Sequence, residues 1–246
     1  MAPEPTRLDP AECLAVIPAR DEIATVAAVV AGVRASLGCH VLVVDDASSD
    51  GTAAAARAAG AMALELPLGL GAWGATQAGI RYARRHGYAG VITLDADGQH
   101  QPDSLGELFK AQAASRANVI IGTCTERLSR AKRIAWHYLR LLTGLRLADF
   151  TSGLRLYDAR AVAILAGPAA SLLDYQDVGV LMLLAKRGIA IRETPVPMSP
   201  RRAGHSRVFA SWPVVARYLL HTTILCVAQI DAGRRQGKHS AKERHA

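Results

Sequence analysis

The apolar positions of this chain fall in short unbroken runs instead of alternating with polar ones. Residues 13–17, 40–44, 61–66, 90–94 and 119–122 each read as a strand. A strand apolar at nearly every position is covered on both faces, as in a parallel sheet. Between these runs lie helical stretches over 21–37, 52–59 and 105–115, and another ending near His86. This alternation predicts an α/β fold, a mostly parallel central sheet flanked by helices. The second half is less regular. Residues 129–147 read as a basic helix, with Arg130, Lys132, Arg133 and Arg140 interleaved among Ile134, Trp136, Leu139, Leu142 and Leu145. Helices are expected over 161–165, 178–186 and 212–230, a strand over 189–196 and a Pro-rich loop over 195–200. No internal repeat is visible.

Composition narrows the class. Of the 246 residues, 50% are hydrophobic and 20% charged, which excludes disorder over most of the length and allows a full core. Cys13, Cys39, Cys124 and Cys226 show no Cys-x-x-Cys spacing. A zinc ribbon and a disulfide scaffold are therefore excluded, and a reducing compartment fits. The net charge of +8 is unevenly placed: residues 1–126 carry −5 and residues 127–246 carry +13. Such asymmetry points to an anionic partner for the second half.

The polar start has no apolar core of a signal peptide. The most apolar long stretch, 208–230, holds Arg217 near its middle. A central Arg costs roughly 2.5–3.5 kcal/mol on insertion scales, so this stretch is not read as a span. Arg217 and His221 share one helical face, while Val215, Leu219 and Cys226 favour the other. Trp212 and Tyr218 suit an interface. The expected organisation is an N-terminal extension over 1–11, a catalytic domain over 12–207, an amphipathic membrane-surface helix over 208–231 and a basic flexible tail over 232–246. The expected location is the cytoplasm, peripheral at the cytoplasmic face of a membrane.

In an open parallel sheet, ligands bind beyond the carboxyl ends of the strands. Here the first strand runs into Pro18-Ala19-Arg20-Asp21-Glu22, the second into Asp45-Asp46 and the fourth into Asp95-Ala96-Asp97-Gly98-Gln99-His100. So many carboxylates on one rim call for a counter-charge. Asp95 and Asp97 offer the hard oxygens that Mg²⁺ or Mn²⁺ prefers, with phosphate and water completing the shell. Ser48, Ser49 and Asp50 are turn residues suited to cap the helix that follows. Gly69-Leu70-Gly71-Ala72-Trp73-Gly74 matches Gly-x-Gly-x-x-Gly, but it follows the third strand instead of the first. It reads as a flexible loop near the nucleotide, not as a dinucleotide fingerprint.

Taken together, these motifs resemble the family 2 glycosyltransferases of GT-A fold. The resemblance rests on Ile-Pro-Ala-Arg-Asp-Glu (17–22), Val-Val-Asp-Asp-Ala-Ser-Ser-Asp-Gly-Thr (43–52) and Leu-Asp-Ala-Asp-Gly-Gln-His-Gln-Pro (94–102). Asp149-Phe-Thr-Ser-Gly-Leu-Arg155, Glu193-Thr-Pro-Val-Pro197 and Arg202-Ala-Gly-His-Ser-Arg207 look like the polyprenyl-phosphate branch, typified by dolichyl-phosphate mannose synthases. The resemblance spans residues 12–210 and implies roles residue by residue. Pro18, Ala19 and Glu22 line the nucleoside pocket, and Asp46 hydrogen-bonds the base. Asp95 and Asp97 bind the metal and the diphosphate, with Gln99 as a further metal ligand. Arg202, Ser206 and Arg207 bind phosphate. Three departures are visible: Arg20-Asp21 stands where the family often has Asn, and Arg207 stands where it usually has Lys. Gly122-Thr123-Cys124 replaces Gly-Ser-Arg, with Arg127 shortly after it as the phosphate contact.

The implied reaction is inverting transfer of a hexose from a nucleotide-diphosphate sugar to undecaprenyl or dolichyl phosphate, serving cell-envelope polysaccharide or glycoconjugate synthesis. The alternative acceptor is a carbohydrate hydroxyl, which needs a general base. Asp177 stands where hydroxyl-using relatives carry one, and it also reads as a helix-cap carboxylate. Expected partners are the nucleotide sugar, the lipid phosphate, an anionic membrane surface and a separate small membrane protein, with no nucleic acid. A non-enzymatic RNA or anionic-surface binder would account for the charge but not for the acid rim. A sugar nucleotidyltransferase would need a Gly-rich basic loop where Pro18–Glu22 stands. A processive polysaccharide synthase would need Gln-x-x-Arg-Trp, which is absent.

Overall fold

A computed structural model describes residues 7–124, 130–173, 177–198 and 223. The readings placed on Arg127, Arg202, Ser206, Arg207, the 208–231 helix and the 232–246 tail lie outside the described residues. The chain divides into two compact units, Met1–Leu128 with Leu147–Gly204 and Ser129–Arg146 with His205–Ala246.

The first unit holds a seven-stranded sheet in the order β3-β2-β1-β4-β6-β5-β7. Its strands are β1 (Cys13–Ala19), β2 (His40–Asp45), β3 (Met62–Glu65), β4 (Gly90–Thr93), β5 (Val119–Thr123), β6 (Arg155–Asp158) and β7 (Ile191–Pro195). Strands β1 to β4 pair in parallel, and β7 runs parallel to β5. The apolar runs behave as expected: β4 and β5 are buried throughout, and β1 at all but Pro18. Helices α1 (Val26–Leu37), α2 (Thr52–Ala58), α3 (Gly71–Arg85) and α4 (Gly106–Ser115) link the parallel strands. Helix α3 lies close on the sheet because of Gly79, where a Cβ would come within 2.3 Å of Val16 Cγ1.

Strand β6 was not foreseen. It inserts antiparallel between β4 and β5. Arg155 at its start is fully buried, and its Nε and Nη2 donate to the carbonyls of Ser152 (2.9 Å) and Phe150 (2.8 Å). A buried guanidinium needs such acceptors. Beyond β6 come α6 (Ala159–Leu165), α7 (Pro168–Ser171) and α8 (Val178–Lys186). The Gly69–Gly74 stretch is a loop only in its first part, since α3 already begins at Gly71.

The described part of the second unit is chiefly α5 (Arg130–Thr143). Trp136 and Leu139, one turn apart, are buried, while Leu141 is exposed. The Tyr138 hydroxyl and Thr223 Oγ1 are hydrogen-bonded at 3.1 Å. Among the described residues, no helix is long and apolar enough to cross a membrane.

Candidate active site

Strand β1 lies between β2 and β4, so the carboxyl ends of these three parallel strands stand side by side. Their loops carry the expected acids. The loops after β1 and β2 are stitched together by the polar residues of the 43–52 motif. Asp21 N–H donates to Ser48 Oγ (2.9 Å), and Ser49 N–H donates to Asp21 Oδ1 (2.9 Å). Glu22 N–H donates to Thr52 Oγ1 (2.9 Å), and Ile23 N–H to Asp50 Oδ2 (3.0 Å). The turn residues therefore cross-link two loops, and Asp50 Oδ1 also accepts the N–H of Thr52, the first residue of α2 (2.9 Å). Partial burial raises the Asp50 carboxyl, but the hydrogen bonds from Thr52 and Ile23 outweigh that and hold it below its ordinary value. Asp21 and Ala47 sit at positive φ, 54° and 59°, a conformation uncommon outside Gly.

Asp46 is 4% exposed. Its Oδ1 accepts the N–H of Leu70 (2.5 Å) and its Oδ2 that of Gly71 (3.0 Å). Its carboxylate thus anchors the turn into α3, where the helix dipole favours a negative charge. The residue implied to meet the base also fastens the loop that leads into α3. Pro18 and Ala19 end β1 beneath these loops, and Glu22 Oε2 accepts a hydrogen bond from Thr25 Oγ1 (3.1 Å).

Beyond β4 the two acids differ. Asp97 is 5% exposed, and its Oδ1 accepts the Gln99 N–H (3.1 Å). The Asp95 side chain is 51% exposed. Its carboxylate rests against Gly153, where a Cβ would lie 2.7 and 2.8 Å from the two oxygens. Gly153 belongs to the 149–155 motif, which is fastened from both sides. Glu193 Oε1 accepts the N–H groups of Ala148 and Asp149 (both 2.9 Å), and Thr93 Oγ1 donates to Gly153 O (2.8 Å). Ser152 Oγ donates to Gly122 O (2.5 Å). His100 is buried, and its Nε2 stands 3.7 Å from Asp95 Oδ2.

This arrangement suits a divalent ion. Two carboxylates leave one strand end, one of them half open and held where only a glycine fits. Such oxygen donors match Mg²⁺ or Mn²⁺. Among the described residues no three His, Cys, Asp or Glu already close around a point. Asp177, half-buried, starts α8 without a side-chain capping bond to it, so the helix-cap reading of this residue is not realised. The sequence reading assigned no role to Gly153, Glu193 or His100, although all three lie in its motifs.

Residues 14–173 match glycosyl transferase family 2. The undecaprenyl-phosphate mannosyltransferase of Micrococcus luteus is 32% identical over 214 residues, covering 79% of this chain and 86% of that one. The polyprenol monophosphomannose synthase of Mycolicibacterium smegmatis is 29% identical, covering 70% of this chain and 71% of that one. Among solved structures, mannosyl-3-phosphoglycerate synthase from Rubrobacter xylanophilus superposes with a TM-score of 0.64 at 20% identity, covering 92% of this chain and 75% of that one. Glucosyl-3-phosphoglycerate synthase from Mycobacterium tuberculosis, in complex with Mn²⁺, UDP and phosphoglyceric acid, gives a TM-score of 0.60 at 17% identity, covering 87% and 78%. The fold is thus the GT-A fold of nucleotide-sugar transferases.

Proposed function

The chain belongs to glycosyl transferase family 2, and from that premise we propose that it moves a hexose from a nucleotide-diphosphate sugar to a polyprenyl phosphate at an anionic membrane surface. The observation that carries this reading is the reach of the similarity. Identity to the M. luteus undecaprenyl-phosphate enzyme extends over 79% of this chain, beyond the 14–173 region and into the basic second half. The Mn²⁺ and UDP held by a structural neighbour support a divalent cofactor and a nucleotide donor.

In this reading Pro18, Ala19 and Glu22 line the nucleoside side of the pocket. Asp46 holds the 70–71 turn that forms its wall. Asp95, Asp97 and Gln99 hold Mg²⁺ or Mn²⁺ against the diphosphate. The ion, when bound, neutralises charge on the departing nucleoside diphosphate. The anomeric carbon's bond to the diphosphate breaks with its electron pair leaving on the nucleotide. A lipid-phosphate oxygen forms the new bond from the opposite face, so the configuration inverts. Arg127, Arg202, Ser206 and Arg207 supply counter-charge and hydrogen bonds to phosphate. A lipid phosphate is already anionic at neutral pH, its second pKa being about 6, and requires no strong general base.

The acceptor is tested by two variants with one donor. With a lipid phosphate as nucleophile, Asp177→Asn lowers the rate far less than the ~10²–10⁴-fold that general-base catalysis contributes, and Arg207→Ala is the more damaging change. A severe Asp177→Asn defect that shrinks as pH rises, beside a nearly normal Arg207→Ala enzyme, would assign a hydroxyl acceptor instead. Membrane association is tested with anionic vesicles. Binding is expected to fall with salt and with deletion of residues 208–246.

A further inference from the structure

We propose that His100 is a positioning residue for Asp95: its Nε2–H donates to Asp95 Oδ2 when a nucleoside diphosphate and its divalent ion are bound. This rests on the reading of the rim as a nucleotide-sugar site and adds to it a residue with no assigned role.

The first observation is an unmet need. The His100 side chain is 2% exposed, and neither ring nitrogen has a hydrogen-bond partner. A buried polar group without a partner is costly, and such groups in native proteins call for an explanation. The second is direction. Nε2 is 3.7 Å from Asp95 Oδ2. That is within ion-pair reach and less than ~1 Å beyond a hydrogen bond. The third is which partner is fixed. The His100 backbone forms an antiparallel bridge with Met198. Pro102, two residues on, is moored to α1, where Ser36 Oγ donates to its carbonyl (2.7 Å). The main chain that carries the imidazole is therefore held on both sides and the ring is buried, while the Asp95 side chain is half open to solvent.

The remaining wall is Gly153, whose missing Cβ leaves room for the carboxylate. Asp95 thus has backbone on one side and an unsatisfied imidazole on the other. A ligand that draws one carboxylate oxygen outward leaves the other to meet Nε2–H. The hydrogen bond then fixes the direction of the lone pairs offered to the ion. Groups that orient a metal-binding side chain in this way typically contribute 10–100-fold in affinity or activity.

The test uses the full chain. Binding of Mn²⁺ with GDP and of Mn²⁺ with UDP is measured by calorimetry, bound Mn²⁺ by electron paramagnetic resonance, and turnover with lipid phosphate in parallel. For the nucleotide the wild type binds, His100→Ala is expected to weaken binding about 10–100-fold and lower kcat by a similar factor. The KM for the lipid should stay near the wild-type value. His100→Gln, which offers an N–H of comparable reach, is expected to recover most of both losses. Melting curves of both variants separate positioning from folding. Wild-type affinity in His100→Ala would overturn the proposal. So would a His100→Gln protein with normal melting and no recovery. Nitrogen coupling to bound Mn²⁺ from ¹⁵N-labelled histidine, lost in His100→Ala, would make the ring a direct ligand and also overturn it. A wild type that binds neither nucleotide would overturn the nucleotide-sugar reading and this inference with it.

Discussion

The two ends of the same sheet are built by opposite rules. At the carboxyl ends of β1, β2 and β4 the chain buries acids: Asp45, Asp46 and Asp97 are 4%, 4% and 5% exposed. They are tolerated because each carboxylate accepts main-chain N–H groups, from Ser48, from Leu70 and Gly71, and from Gln99. At the amino ends of β1 and β2 stand Cys13 and Cys39, in adjacent register and both buried. A cleft of about 720 Å³ opens at this amino end, lined by Arg34, Cys39, His40, Met62 and Tyr88 among others. It lies away from every acid of the rim. This cleft is thus separate from the acid rim proposed as the active site. Changes at the proposed metal-binding acids of the rim should therefore alter catalysis with little loss of fold, whereas changes at the amino end, and at Asp46, which fastens a turn, should alter stability.

The largest effect expected at the rim is that of Asp97→Asn. It keeps shape and the ability to accept the Gln99 N–H, but removes a charge from the proposed metal and diphosphate site. Turnover should fall by at least ~10²–10³-fold, the range seen when one preorganised electrostatic group is lost. The melting temperature should stay near that of the wild type, and excess EDTA should reproduce the loss in the unmodified enzyme. Full activity in EDTA would refute the metal assignment.

Next in size is Gly153→Ala. The added Cβ would sit 2.7 Å from an Asp95 oxygen, so the carboxylate must move. Misplacement by about 1 Å can cost ~10²-fold. A steady-state assay should show kcat falling by that order. Unchanged kinetics would mean that the position of Asp95 is not critical, and would count against the picture of a fixed rim.

How much of this was legible follows from the same contrast. The parallel strands announce themselves as unbroken apolar runs, since burial on both faces leaves no room for polar residues. The acids after β1, β2 and β4 are legible because the topology makes strand ends informative. Strand β6 was hidden: Arg155-Leu-Tyr-Asp158 is short and charged at both ends. Its Arg is buried only because the 150–152 carbonyls fold back onto it. The supports of the site were hidden for a similar reason. Gly153 and Glu193 act through groups distant in sequence, and no local periodicity records such a pairing. The start of α3 was misplaced because its anchor, Asp46, comes from the end of β2, 25 residues earlier in the chain.

Asp46 lets the comparison be sharpened, since it is a rim residue with a structural task. Asp46→Ala leaves the Leu70 and Gly71 N–H groups without their acceptor. Nucleotide affinity should fall by about 1.5–3 kcal/mol, the range for hydrogen bonds to charged groups, with a comparable loss of stability. Asp46→Asn keeps one carbonyl oxygen and should lose about half as much. Calorimetry and urea unfolding on the same proteins would check both. A loss of affinity without any loss of stability would mean that Asp46 meets the nucleotide directly, and that fastening the turn is incidental.

The smallest effect belongs to the amino end, and it concerns pH. Burial, with Cys39 beside it, pushes the Cys13 thiol from 9.0 up to about 12, and burial also raises Cys39. Below pH 9 both native and unfolded chains keep the Cys13 proton, so its contribution is fully present and flat. Between about 9 and 12 the unfolded chain loses a proton that the native chain holds, so stability falls as pH rises. At ~1.4 kcal/mol per pH unit, a wild type taken from pH 8.5 to 10.5 should lose about 1–2 kcal/mol more than Cys13→Ala does over the same interval. Comparing the two proteins cancels the titration of lysines and tyrosines common to both. Urea unfolding at each pH measures the difference, and native alkylation at pH 8 should leave Cys13 unlabelled, since the thiolate is the reactive form. Equal slopes for the two proteins would show that Cys13 is not held protonated by the fold. The amino end would then be open enough to water to lose its contrast with the rim.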